Sequence, residues 1–574
     1  MSAAIQNPQG RQLQARHIGV IPLLNLFIKR LKLQEILTKH VPVRDNRQKL
    51  EPAIGLLILL RNVLASRKPL YQVPEWVEAF DPELLGLSEK ELKHLNDDRL
   101  GRDLDLLFRA DRDTILTEVM VNAVEAFELE LREIHNDSTS IMFHGQYPDA
   151  DGTPEHGQLT HRITFGHSKE KRPDLKQLLF ILTTTADGNV PIWANVDHGN
   201  TADDVTHLRT WRAIKKLLGT ARFLYVADSK LCSKENLTEI HQEGGRFLTV
   251  IPATWGEHKR FYEWLSMHDA PWEDVLSKKS KRRKTDPPIV YRGYEPPETT
   301  DQGFRVFWYW SSQKAALDRG ARETRINSAE RDLQEIRARI GRSKSRLNTI
   351  EQVTAAAQRV LQERNVEQWI TFQVTEKEAH HQEKAGPGRK GPNSLYRIRV
   401  ERTPALSWQI NMQALQLESR VDGVFPLTTN DKKMSMREAL DAYKRQPGLE
   451  KRFSQLKTAF ELRPVLLQNH LRIEAFLFVY VLALLVESLI ERETRQNMKE
   501  LGYMKLPIYA EGKESEAPTA GCLCDLFEGL QRYRILDRDG KVVERYYGEL
   551  NKGQLSVLDV LGIGQKEYMT AGEP

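Results

Sequence analysis

Apolar runs that stop at an acid constrain this chain most. The run from Ala221 to Ala227 ends at Asp228 and continues as a polar turn into a helix-like stretch at Lys234 to Leu237, and a second strand-like stretch, Ile134 to Ile141, carries Asp137. The carboxyl end of a strand is where an open α/β sheet places its ligands. Asp137 and Asp228 are therefore candidate site positions, each expected at a strand end. Between them the pattern predicts a strand from Leu178 to Thr185, a turn at Asp187, Gly188 and Asn189, and a strand from Val190 to Val196. Gly199 to Asp203 reads as a loop and cap opening a helix from Asp203 to Leu218, and a strand from Phe247 to Ile251 follows Asp228. Strand, hairpin, helix, strand, helix and strand in that order make the fold class α/β.

A third acid stands in different company. The segment Tyr443 to Lys457 is helix-like, with one carboxylate in a basic and aromatic face. Tyr443, Glu450, Ser454 and Lys457 are spaced by seven, four and three positions and fall on one side of a helix. There a carboxylate could take a metal ion, the lysine a phosphate oxygen, and the ring could stack on a base or sugar. That is nuclease-like chemistry.

This segment resembles the cut-and-paste transposases of bacterial insertion sequences, in the branch of the DDE class whose last acid lies in a Y-x2-R-x3-E-x6-K helix. Tyr443, Glu450 and Lys457 fit that spacing; Gln446 stands where the pattern has arginine, with Arg445 and Arg452 close enough in sequence to substitute. Asp137, Ser138 and Thr139 resemble the family's step after its first strand, and Gly166 to Gln177 is a further family-like block.

The resemblance implies an RNase H-like catalytic core with a large α+β insertion before the last acid, plus a helical N-terminal domain. It implies Asp137, Asp228 and Glu450 as catalytic metal ligands for two Mg²⁺ ions about 4 Å apart, with Mn²⁺ as a substitute. Tyr443, Arg445, Arg452 and Lys457 become DNA contacts. Water would cleave the strand at the transposon end and the freed 3′-hydroxyl would attack target DNA, with no covalent protein intermediate. The partners implied are terminal inverted repeats, target DNA and a second copy of the chain, as a homodimer on paired ends. Rival readings are a nuclease that cuts without joining and a DNA-binding protein that keeps the fold without catalysis.

Along the chain, residues 1–125 are apolar at helical period and are expected to form the helical, possibly end-binding domain. Residues 126–252 and 421–495 would make the two parts of the core, 253–420 the insertion and 496–574 a C-terminal region. The insertion should contain a strand over Gly303 to Trp310, a charged helical pair over 313–363 with Leu333, Ile336 and Ile340 on one packed face, and a strand at Leu395 to Val400. A hairpin is expected about Asp539 and Gly540.

Composition excludes more than it selects. A net charge of +5 from 84 basic and 79 acidic residues says little about partners, and the basic run Lys278 to Lys284 reads equally as a phosphate-neutralising patch or a solvated loop. Cys232, Cys522 and Cys524 are too few for a disulfide framework, which suits a reducing bacterial cytoplasm, nucleoid-associated when DNA is bound. The start has no signal-peptide core, and the apolar run Ala475 to Val486 is shorter than the roughly 20 residues that span a bilayer, so a buried helix and no membrane partner are expected. Among other acids, Asp187 reads as a turn residue and Asp203 as a helix cap, with Asp197 and Asp204 as further decoys. His135 and His198 read as hydrogen-bonded structure. Gly386 to Gly391 matches a dinucleotide fingerprint in form only, and no Walker-type loop occurs.

Overall fold

The computed structural model describes residues 5–6, 11–43, 49–167, 169, 172–279, 286–342, 345–385, 396–459, 467–509 and 511–572. The loop Gly386 to Gly391 and most of the basic run after Lys279 lie outside the described residues. The chain divides into two compact units, one formed by Met1–Thr249 with Leu440–Pro574 and the other by Val250–Ala439.

The first unit begins with β1 (Gln12–His17), then helices α1 (Ile21–Arg30), α2 (Leu33–His40), α3 (Pro52–Ala65), α4 (Asp97–Arg109) and α5 (Arg112–Phe127). Proline near the start of α3 costs no hydrogen bond there, and its apolar sequence is buried from Pro52 to Leu64. Asn96 and Asp111 cap α4 and α5 by accepting from Arg99 N and Thr114 N. The stretch expected to be wholly helical thus opens with a strand. Its pattern is too short and too polar to register beside the helices that follow.

The sheet of this unit contains β2 (Glu133–Phe143), β3 (Lys176–Thr185), β4 (Pro191–Asp197), β5 (Leu224–Ala227) and β6 (Arg246–Val250). Its order is β4-β3-β2-β5-β6. Strand β3 runs antiparallel to both of its neighbours, β2 and β4, while β5 runs parallel to both β2 and β6. Parallel strands need crossovers; α6 (Asp203–Leu218) and α7 (Lys234–Gln242) flank β5 along the chain. The β3–β4 turn places Gly188 at φ 77° and Asn189 at φ 52°, left-handed values that these two residue types tolerate best.

The second unit holds α8 (Gly256–Met267), β7 (Glu273–Lys278), β8 (Ile289–Tyr294), β9 (Arg305–Ser311), α9 (Ser312–Arg339), α10 (Ile350–Arg364), β10 (Ile370–Lys384), β11 (Tyr396–Ile410), α11 (Met412–Ser419) and β12 (Val424–Thr429). Strands β7, β8, β9 and β12 pair antiparallel in that order. The charged pair α9 and α10 packs through Leu333, Ile336, Val353 and Ala357 onto Trp369, just before β10, and Leu406 of β11.

Helix α12 (Met436–Tyr443) carries the chain back to the first unit, where α13 (Pro447–Ser454), α14 (His470–Glu500), α15 (Ala520–Phe527), β13 (Gln531–Leu536), β14 (Val542–Tyr547) and α16 (Lys552–Val560) complete it. Helix α14 packs on α3, α4 and β4. It extends well beyond its apolar run, and by length and composition alone it could cross a membrane. With 89% of its most apolar window buried, it is the unit's core helix. Gly540 turns the hairpin at φ 79°, and β13 pairs with both β14 and β1.

Candidate active site

Strands β2 and β5 align in parallel with Asn136 opposite Ala227. The next residue on each is an aspartate, so Asp137 and Asp228 lie side by side on neighbouring strands, whose spacing is about 4.8 Å. Asp228 does follow the end of its strand. Asp137 does not: β2 runs on to Phe143, paired with β3, and only its pairing with β5 stops at Asn136. The apolar residues after Asp137 keep β2 going, and the acid sits where one neighbour ends. The Thr249 hydroxyl fixes the backbone there by donating to Asp228 O at 2.6 Å.

The two carboxylates feel each other. Burial pushes the Asp137 carboxyl up; Lys169, 3.7 Å away, pulls it down, and the Asp228 charge raises it further, to about 6. Asp228 is likewise raised by burial, but His207 more than offsets this, with help from Lys230 N and Lys169, and leaves it below the usual range. The His207 Nε2 lies 3.7 Å from Asp228 Oδ1, longer than a hydrogen bond. Two adjacent acids, one held anionic and one resisting ionisation, form a site short of positive charge.

The segment with the third acid is not one helix. Pro447 has no N–H to continue the ladder, and the chain tightens around it: Arg445 N, Gln446 N, Gly448 N and Leu449 N each donate to the carbonyl three residues back. After Ser454 the winding loosens into a π-helical turn over Gln455–Ala459. Glu450 is exposed in the first turn of α13. Burial raises the Tyr443 hydroxyl, and the charges of Asp228 and Glu450 raise it further. Among the described residues no three of His, Cys, Asp or Glu are grouped closely enough to hold a metal ion as they stand. Asp137 and Asp228 offer hard oxygen donors with side chains 23% and 43% exposed, which fits a divalent cation between them.

The basic residues expected at DNA fare differently. Lys457 donates to Thr139 Oγ1 at 2.6 Å, two residues beyond Asp137 on β2 and so on the same strand face. Arg445 makes a fork on Glu133, with both bonds at 2.6 Å, and is half exposed. Arg452 requires a correction. It is 1% exposed and donates to Gly188 O, Asn189 O, Gln455 and Glu491. The β3–β4 turn and α14 use up its guanidinium, and no phosphate can reach it. Gln446, at the arginine position of the pattern, is an internal tether: its amide pairs with His135 Nδ1 at 2.8 Å and donates to Asn136 O at 3.2 Å.

Three residues around the acids were not read as site residues in the sequence. Asp203 is not a cap, since α6 is preceded by Ala202 and has no side-chain cap; its carboxylate instead accepts from Ser138 Oγ at 2.9 Å and pairs with Lys169 at 3.0 Å. Lys169 sat inside the Gly166 to Gln177 block without a role. His207 follows Asp203 at helical spacing, the one signal that could have paired them. His135 lies between Glu133 and Gln446, and His198 accepts from Arg162 N, both as structural histidines.

Residues 13–121 match the sequence family described as "Domain of unknown function (DUF4277)". No curated protein matches the chain. Among solved structures, a piggyBac transposase in a synaptic complex with hairpin DNA is similar at a TM-score of 0.26 and 11% identity, over 51% of this chain and 60% of that one. The chain thus spans less than two thirds of that protein, and a likeness so slight fixes neither fold nor activity.

Proposed function

We propose that this chain is a metal-dependent DNA transposase that cleaves transposon ends and joins them to target DNA, on an RNase H-like core. The observation that carries the reading is the side-by-side placement of Asp137 and Asp228 at the end of the pairing between parallel strands β2 and β5. The succession along the chain, β2, the β3–β4 hairpin, α6, β5, α7 and β6, supports such a core, because it follows the order that the resemblance implies.

In this reading Asp137 and Asp228 hold Mg²⁺ or Mn²⁺, and Glu450 completes the set once DNA draws α13 inward. The bound cations would activate the attacking oxygen and stabilise the leaving one. Lys457, on the Asp137 face of β2, is placed to take a phosphate oxygen next to the scissile bond. Tyr443 offers its ring and hydroxyl beside the acids. Arg445 reaches backbone phosphates from its half-exposed fork on Glu133. The substrates are the element's terminal inverted repeats and target DNA, held by two copies of the chain on paired ends.

The test is cleavage and strand transfer on DNA carrying the inverted repeats that flank the gene, with Mg²⁺. Asp137→Ala, Asp228→Ala and Glu450→Ala should each abolish cleavage and leave DNA binding within a few fold. Wild-type cleavage by Asp228→Ala would end the proposal, and cleavage without joining by the native chain would make it a nuclease.

A further inference from the structure

Resting on the reading of Asp137 and Asp228 as cation ligands, we propose that the first two turns of α6 position the site, with Asp203 setting the surroundings of Asp137 and His207 those of Asp228. The two residues are four apart and share one helix face.

On the Asp228 side the hydrogen bonds fix the imidazole. Thr183 Oγ1 donates to Asn136 Oδ1 at 2.8 Å, which turns the Asn136 amide N–H toward His207 Nδ1 at 3.2 Å. An amide nitrogen cannot accept, so Nδ1 is the acceptor and the proton of the neutral ring resides on Nε2, the atom facing Asp228. His207 is 3% exposed and its ring has little freedom to turn. At 3.7 Å this N–H makes no hydrogen bond to Asp228, but the fixed ring keeps it turned toward that carboxylate, the position from which outer partners orient metal ligands generally.

On the Asp137 side the relay runs through Lys169. Its ammonium contacts Ser138 O at 2.6 Å, Ser138 Oγ at 2.9 Å and Asp203 Oδ2 at 3.0 Å. Those three partners match its three protons. Lys169, although exposed to solvent, is therefore a charge fixed beside Asp137 and neutralised in part by Asp203, rather than a free phosphate-binding arm. Without Asp203 its full charge would repel a cation at Asp137.

Mn²⁺ titration of the full-length chain by electron paramagnetic resonance, with thermal melting alongside, tests this. His207→Ala should weaken Mn²⁺ binding about 10- to 100-fold, and His207→Gln, whose amide N–H can reach Asp228, should recover most of the loss. Asp203→Asn keeps the Ser138 contact but strands the Lys169 charge, and should weaken binding about 10-fold. Binding within twofold of wild type in both His207→Ala and Asp203→Asn overturns the proposal; should His207→Ala fail to fold, Asp203→Asn decides by the same criterion. Asp137→Ala and Asp228→Ala separate the two levels. If they too bind Mn²⁺ normally, the cation reading itself is wrong; if they lose Mn²⁺ while the α6 variants keep it, only the positioning role fails.

Discussion

A guanidinium in the interior has to be answered by an acid, and Arg452 is answered by Glu491 at 3.1 Å. Glu487, one turn earlier on α14, has no such ion pair among the described residues. It accepts from Gln455 at 3.1 Å, and its second oxygen is buried without a hydrogen bond among the described residues. Burial and then the Glu491 charge push its carboxyl up to about 7, against the pull of Arg452. A carboxyl raised from 4.5 in the unfolded chain to about 7 in the fold holds its proton more tightly when folded. Its contribution is therefore fully present below pH 4.5 and lost as pH rises through 7. Glu487→Gln should match the native chain at pH 4 and exceed it at pH 8 by on the order of 2 kcal/mol. Melting curves at the two pH values check this, and a difference that stays constant between them would place the titration elsewhere.

At the scale of elements, the site depends on how α13 is seated. Gly448 lies against the β3–β4 turn so closely that a Cβ there would overlap the Asn189 side-chain amide. Gly448→Ala should push α13 and Glu450 away from the sheet, costing roughly 1–3 kcal/mol as overpacking does and lowering cleavage more than DNA binding. Equal losses in cleavage and binding would show that the helix moved nothing catalytic. This seat also marks where sequence reading ended. The strands were legible because apolar runs bounded by turn residues are local signals, and the hairpin at Gly188 and the charged pair α9–α10 were read from the same kind of pattern. The break at Pro447 was visible in the sequence, yet the spacing of Tyr443, Glu450 and Lys457 was read across it as one helix. Asp203 was read as a cap because an acid opening a helix usually is one; Ser138 and Lys169, which claim it, are distant in sequence. Arg452 was misread for the same reason, since Glu491 and Asn189 lie on other elements.

At the scale of the molecule, the first unit is closed by its own ends. Strand β13 pairs with β1 from Gln531 opposite His17 to Leu536 opposite Gln12. Beneath that pairing Asp81, fully buried, receives Arg532 and also Arg534, the latter at 2.6 Å, while Arg532 donates to Ala571 O at 3.0 Å. No local pattern announces this, because the acid and its arginines come from opposite ends of the sequence and each looks like an ordinary surface residue in its own segment. One buried carboxylate set against two guanidiniums leaves uncompensated charge when it is removed, a change that costs about 3–5 kcal/mol for buried pairs. Asp81→Ala should therefore lower the melting temperature sharply and expose the segment after Leu530 to protease, although it lies far along the chain from Asp137 and Asp228. Arg534→Ala, which leaves Arg532 on the acid and is itself less deeply buried, should cost clearly less. Thermal melting with limited proteolysis measures both. An Asp81→Ala chain that melts like the native one and keeps its C-terminal hairpin protected would mean that β1 and β13 hold together through backbone pairing alone.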